Sequence, residues 1–398
     1  MCATGLLGCE RDSGPTSPEA ATIQARYGVV SGSPGPLTDV ALVYDSKARQ
    51  VVLLGGTSGE GDWNFNKEVW VTDPDGERWR RVGTHNLDID CAAYDPVADR
   101  IIAFVGWRYD AASTNPNFPI DFVSETWAYD LNTNTWDQIE SPRGPRAGNV
   151  GTRMAYDVES RKMILFGGID LETFELIGET WVLDYASRTW TRMDPWGDVP
   201  TGRNFMGLTY HRGIDRVLMI GATDPDFNAT NDLYAYDYNA NRWARIPSDG
   251  PVRDYVSLAN LGGARERILL YGGVTYDATS GEVHMGDTWE LSLARDQGHY
   301  RAVWELMAPS PSPGPRASHG LIGAGAGRAV LYGGGGDGGT LGDTWLYRSH
   351  LHRVEWERHS EGAALADSRR AGALTTGEVP RRRARGVAFG ASVRRRRD

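Results

Sequence analysis

Tryptophan returns along this chain at a spacing that only a repeating architecture explains. Six short segments share one signature, an acidic residue, a spacer and an aromatic: Glu68-Val69-Trp70, Glu125-Thr126-Trp127, Glu179-Thr180-Trp181, Asp232-Leu233-Tyr234, Asp287-Thr288-Trp289 and Asp343-Thr344-Trp345. Successive aromatics lie 57, 54, 53, 55 and 56 residues apart. A second tryptophan follows each of them, at Trp79, Trp136, Trp190, Trp243, Trp304 and Trp356, so eleven of the fourteen tryptophans fall in two columns. A fixed period of about 50 residues points to a β-propeller built from four-stranded blades.

The rest of the unit is legible between the columns. Each segment carries an aliphatic run that ends in glycine ahead of its first aromatic, such as Met163-Ile164-Leu165-Phe166-Gly167-Gly168 or Ile268-Leu269-Leu270-Tyr271-Gly272-Gly273. These runs have the length of a strand and not of a helix. Upstream of most lies a lead-in with Pro and Arg, seen at Pro145-Arg146, Pro200-Thr201-Gly202-Arg203, Pro251-Val252-Arg253 and Pro315-Arg316. A strand then closes on Tyr-Asp, as at Tyr44-Asp45, Tyr94-Asp95 and Tyr156-Asp157. Four strands per repeat result. Glycine closing the second strand suits positive φ or a close backbone approach, and the paired tryptophans are expected to fill the space between blades while their indole N–H groups find acceptors.

This unit resembles the Kelch repeat, which combines a Pro/Arg lead-in, an aliphatic strand closed by Gly-Gly, an acidic-Thr-Trp strand and a final strand with a second Trp. The resemblance covers residues 36–360 and is fullest in repeats three, five and six. Repeat two has Val105-Gly106 in place of Gly-Gly and no Pro-Arg lead-in, and repeat four has Gly221-Ala222. The expected fold is all-β, a Kelch-type propeller of six complete four-stranded blades, with a partial seventh blade shared by the termini as the alternative. The segment from Tyr27 to Pro36 reads as a last strand and a new lead-in, and Pro380 to Gly390 resembles a further first strand.

Three divisions follow: residues 1–22 as a leader and tether, 23–360 as the propeller, and 361–398 as a linker with an Arg-rich tail. Leu6-Leu7-Gly8-Cys9 resembles the lipobox of bacterial lipoproteins, which makes Cys9 a lipidation candidate and the protein an exported one, periplasmic or membrane-anchored, with a cytoplasmic location the alternative. Only eight residues precede Cys9, with no basic n-region or full apolar stretch. No segment is apolar for the ~18 residues that a membrane-spanning helix needs.

Charge separates the parts. Residues 380–398 hold eight Arg and one Asp, so the remainder carries a net charge of −17 against −10 for the whole chain. An acidic propeller disfavours nucleic acid as a partner, since a phosphate backbone seeks Lys and Arg surfaces. Arg381 to Arg397 reads either as a polyanion-binding arm or as a solvated or out-of-frame terminus.

Within the Kelch resemblance, two enzymatic roles are implied beside a binding role. A copper-radical sugar oxidase, as in galactose oxidase, needs a Cys crosslinked to Tyr and two His ligands, and Cys91 is the one Cys inside the propeller. A sialate-mutarotase-like enzyme would use His, Glu or Arg at the channel mouth as acid and base. The eight His show no metal-ligand spacing, and Asp224 to Thr230 fails the glycine and glutamate positions of a calcium loop. No metal and no cofactor is therefore expected. The favoured reading is a monomeric interaction or scaffold module for a protein or glycan ligand. Its binding candidates are the lead-in arginines Arg146, Arg203, Arg253 and Arg316, whose guanidinium groups suit carboxylates. Structural bonding to backbone carbonyls and acidic side chains is their alternative role. Aromatics in the longer loops, Trp63, Trp107, Phe118, Phe174 and Tyr276, are expected to be exposed for contact.

Overall fold

A computed structural model describes residues 30–360 apart from 60–63, 115–118, 227, 264–265, 278–280 and 351–352. Cys9, the Arg-rich tail, the further first strand after Pro380, Trp63 and Phe118 lie outside the described residues. Six antiparallel sheets follow one another along the chain, each with four strands joined in sequence order. Their first strands are Thr38–Asp45, Cys91–Asp95, Arg153–Asp157, Gly207–His211, Ser257–Asn260 and Gly320–Gly325. Each first strand packs against the first strand of the next blade, and the sixth packs against the first, so these strands ring a central axis. The last strands, Trp79–Thr84, Thr135–Gln138, Thr189–Arg192, Arg242–Arg245, His299–Met307 and Arg353–Ser360, form the rim.

The core is divided as the repeat demands. Six apolar clusters fill the six wedges between neighbouring blades; the cluster that joins blade six to blade one unites Leu42, Leu53 and Trp79 with Val330, Tyr332 and Leu346. No single centre exists, and stability accumulates over interfaces.

Both tryptophan columns have a bonding rule. The first Trp donates its indole N–H to the acidic residue two positions earlier: Trp70 to Glu68, Trp127 to Glu125, Trp181 to Glu179, Trp289 to Asp287 and Trp345 to Asp343, at 2.6–3.0 Å. The second Trp reaches back to the Thr of the preceding blade: Trp190 to Thr126, Trp243 to Thr180 and Trp356 to Thr288, at 2.8–3.0 Å. Trp79 of blade one donates to Thr344 of blade six at 2.9 Å, which closes the ring by the same bond. Where the Thr is missing, the rule fails visibly. Leu233 stands in its place in blade four, and Trp304 turns to Ser248 Oγ at 3.0 Å. Val69 stands there in blade one, and the buried indole N–H of Trp136 has no acceptor.

The ring thus closes with six blades, each built from consecutive strands. The expected last strand near Tyr27 to Pro36 does not belong to a separate blade: Val30–Gly32 pairs antiparallel with Trp79–Thr84 as a fifth strand on the rim of blade one. Blade four gains an equivalent edge strand, Trp196–Gly197, which runs parallel to Arg242–Arg245. The Gly-Gly pairs take positive φ throughout, and repeat four forces the same turn on Ala222, at φ 87°.

Candidate functional site

In a four-stranded meander, the start of the first strand, the link between second and third strands and the link to the next blade share one face. The longer loops, 57–67, 107–123, 169–178 and 274–286, all join second to third strands and so crowd the face on which the first strands begin. Trp107, Phe174 and Tyr276 do not stand free as the sequence suggested. Trp107 is buried with Ile120, Val150, Ile169 and Leu171, and Phe65, Phe122, Phe174 and Phe205 pack on that cluster, giving the loop face its own apolar layer. Tyr276 packs similarly against Tyr255, Val274 and Ala317. Loop length in a sequence does not show that neighbouring loops are near enough to bury one another's side chains.

A channel of about 510 Å³ runs inside the ring of first strands. Its mouth on the loop face is set by left-handed residues at or just ahead of the start of those strands: Asp39, Phe205, Tyr255 and Ser318 have φ of 54°, 52°, 52° and 53°, and Gly151 has 70°. The turn lets blades bond across three of the six seams around the mouth. The amide of Asp39 donates to the carbonyl of Ser318, that of Phe205 to Gly151, and that of Val256 to Phe205, at 2.8–3.0 Å. Non-glycine residues at positive φ cost about 1 kcal/mol or more each and persist where the surroundings over-determine them.

Two carboxylates, Asp39 and Asp90, line this mouth, and a third, Asp254, is buried next to Tyr255 without lining the channel. Asp90 accepts the amides of Gly151 and Thr152 and the Thr152 hydroxyl. Asp254 accepts the amide of Tyr255 and the hydroxyls of Thr223 and Tyr276. Asp39 leaves Oδ2 buried with no hydrogen bond. Burial raises all three carboxyls above the usual range despite these donors, and pushes Asp39 up to about 6. Among the described residues no cation lies within 4.0 Å of any of them.

Among the described residues one arginine shares this end of the channel wall with them, while Arg212 lines the opposite end. At the inner position that faces the following blade, register with the second strand places Ala41, Cys91, Arg153, Gly207, Ser257 and Gly320 in equivalent places, and all line the channel. Arg153 is the single long side chain in this column. Its guanidinium lies 5.7 Å from the Phe205 ring centroid, and Phe205 stacks on Tyr255 at 4.5 Å. It donates one hydrogen bond, to the Thr152 carbonyl. Sequence reading missed Arg153; the signal was present as an Arg in a column of small residues, but only strand register reveals the column.

The lead-in arginines occupy a different place. Arg203, Arg253 and Arg316 are buried and pair with Asp232, Asp287 and Asp343, the acidic residues of their own blades' aromatic signature. Arg316 also donates to the carbonyls of Gly333 and Pro313. Arg146 is more than half exposed and reaches Glu179 at 3.2 Å and Asp170 at 3.8 Å. In blades one and two, which lack a lead-in Arg, Arg81 and Arg108 neutralise Glu68 and Glu125 instead. The recurring element is the paired acid, and its cation comes from wherever the blade supplies one.

Cys91 is buried, its sulfur 3.3 Å from the Thr152 hydroxyl, and burial pushes its thiol up to about 12. Among the described residues no group of three His, Cys, Asp or Glu converges as metal ligands. Asp224 turns its carboxylate onto its own loop, accepting the amides of Asp226 and Asn228. At the opposite mouth His211 and Glu266 lie 3.0 Å apart. Burial alone would raise Glu266, but hydrogen bonds from His211, Asn260 and the Gly213 amide outweigh it and hold the carboxyl at about 2, far from where a general acid or base works near neutrality.

Comparison with known proteins agrees with this architecture. Residues 25–222 match the family model described as the KLHDC2/KLHL20/DRC7 Kelch-repeats domain. The chain is a Kelch-repeat β-propeller of six blades. It is 23% identical over 166 residues to Tip elongation aberrant protein 3 of Schizosaccharomyces pombe, covering 36% of this chain and 14% of that protein. It is 24% identical over 291 residues to Multiple epidermal growth factor-like domains protein 8 of Mus musculus, covering 69% of this chain and 10% of that one. Kelch domain-containing protein 10 of Rattus norvegicus is 26% identical over 200 residues, or 48% of this chain and 45% of its own length. The chain thus spans less than half the length of each of these relatives, all three of them eukaryotic.

Proposed function

We propose that this propeller is an interaction module whose loop face and channel mouth engage a protein partner. The observation that carries the reading is the mouth itself: left-handed residues bonded across blade seams beside three buried carboxylates that share one guanidinium, on the face where the longer loops gather. Propellers commonly place function on loops held by a rigid scaffold, and conformations of this cost concentrate where a site is held ready. Photocrosslinking from each face tests it. A benzophenone side chain at exposed Glu172 or Asp337 on the loop face should yield partner adducts, whereas one at exposed Glu159, on the opposite hairpin face, should not. Adducts from Glu159 alone, or equal yields from both faces, overturn the reading.

Export and anchoring through Cys9 belong to the same proposal and rest on the Leu6-Leu7-Gly8-Cys9 motif. Intact mass of protein extracted with detergent from its own cells tests them. A species that begins at an acylated Cys9 supports the anchor, and an unmodified Cys9 removes it.

A further inference from the structure

We propose that the channel mouth receives a basic side chain, a guanidinium or ammonium group, from the protein partner. The inference rests on the interaction-module reading and names the chemistry of its contact. Asp39 and Asp90, with Asp254 buried beside them, share Arg153 at this end of the channel, which leaves the group two negative charges in excess when all three are ionised; Asp88, also in the lining, is paired with Lys67. Neutral donors hold Asp90 and Asp254 in place without discharging them. Asp39 keeps a buried oxygen with no donor.

Arg153 shows what this ring accommodates: a guanidinium on an aromatic face, stabilised by carboxylates none of which lies within 4.0 Å of it. Such a contact is attractive because the face of an aromatic ring is its negative side. The equivalent positions of the other blades hold Ala41, Cys91, Gly207, Ser257 and Gly320, so Arg153 is the one long side chain of this column in the channel lining. The wider field points the same way. Outside its last nineteen residues the chain carries a net charge of −17, which steers cationic partners toward it and repels acidic ones.

Titration sets the sign of the pH response. Burial holds the Asp39 carboxyl at about 6, with Arg153 opposing the shift and Asp90 adding to it; Tyr255, across the mouth, stays protonated because burial raises it further. A cation binds the ionised form, so affinity should rise with pH through about 6 and fall below it. An anionic guest would show the reverse.

The test uses the full chain and three blocked tripeptides, N-acetyl-Gly-Arg-Gly-amide and its Gly and Glu counterparts, followed by calorimetry and by NMR shifts. The Arg peptide should saturate at pH 7.5 and bind at least tenfold more tightly than the other two. Its affinity should fall severalfold between pH 7 and pH 5.5, and Asp39→Asn should weaken it and flatten that dependence. Asn tolerates the left-handed backbone of this position, and an unchanged melting temperature verifies the fold. Arg153→Met should leave binding intact or tighten it. No saturable binding, a preference for the Glu peptide, or loss of binding in Arg153→Met with Asp39→Asn unaffected would each overturn the inference. Loop-face adducts in the crosslinking experiment together with failure of the Arg peptide would sink this inference alone and leave the interaction-module reading standing.

Discussion

Single residues decide whether each wedge of the ring is fully bonded, and one wedge is not. Thr126, Thr180, Thr288 and Thr344 each accept the indole N–H of the following blade's second tryptophan. Val69 offers Trp136 nothing. An unmet buried donor costs about 1–3 kcal/mol, more than the small penalty of exchanging a methyl for a bonded hydroxyl. Val69→Thr should therefore stabilise the protein by about 1 kcal/mol in chemical denaturation, and Thr180→Val should destabilise it by a similar or larger amount. A Val69→Thr variant no more stable than the parent would mean that Trp136 is satisfied some other way. A second residue-scale prediction concerns His319, whose ring nitrogens are buried with no hydrogen-bond partner and whose pKa burial and the nearby Arg316 lower to about 3, with Asp343 opposing. The unfolded chain takes up a proton near 6.5 and the folded chain does not, so this group's contribution to stability is lost as pH falls from about 6.5 toward 3. Between pH 6.5 and 5 that amounts to roughly 2 kcal/mol. Since Gln does not titrate, the stability gap between parent and His319→Gln should shift in favour of the variant by that amount over the same interval; a gap independent of pH would show that His319 takes up its proton in the fold as readily as in the unfolded chain.

The lead-in shows what strand-level pattern can and cannot disclose. Arg203, Arg253 and Arg316 stand four residues ahead of their first strands and fall inside the blade, while Arg146 stands seven ahead of Arg153. Those three extra residues let Asn149–Val150 form a small sheet with Ile169–Asp170, and they carry Arg146 to the surface. The column of Pro-Arg pairs, and with it the blade boundaries, was legible because turns and strand ends demand particular residues at fixed spacing. The fate of the guanidinium was not, because the distance from lead-in to third strand depends on how the second-to-third link folds back. The channel site was hidden for the same reason: Asp39, Asp90 and Asp254 occupy unlike places in their repeats and meet only across the axis. Two variants measure the difference in burial. Arg316→Met strands Asp343, whose carboxyl is desolvated yet held below the usual range by Arg316, and should cost about 3–5 kcal/mol. Arg146→Met removes an exposed partner and should change stability by less than about 1 kcal/mol. Equal losses at the two positions would contradict the burial contrast.

At the scale of the whole ring, closure is an interface like the other five. Blade six meets blade one through an apolar wedge, Trp79 donates to Thr344, and Trp79 packs edge-on against Tyr332 with centroids 5.2 Å apart. Among the described residues no blade mixes strands from both ends, since Val30–Gly32 only adds to a sheet that is already four strands wide. An open stack would unfold from its ends, each unit leaning on one neighbour, whereas a closed ring gives every blade two and couples them all. Removal of the rim strand and disruption of the seam should therefore differ. A chain begun at Ser33, which among the described residues loses only Val30–Gly32, should keep one cooperative transition and lose about 1 kcal/mol or less, because the edge strand lies outside the wedge. Trp79→Phe removes a bonded indole from that wedge and should cost about 2–3 kcal/mol. Because the ring is coupled, the loss should appear in the amide exchange of blades three and four as well as of blades one and six. Protection lost only beside the seam would mean that the blades unfold as a linear stack and that closure adds no cooperativity.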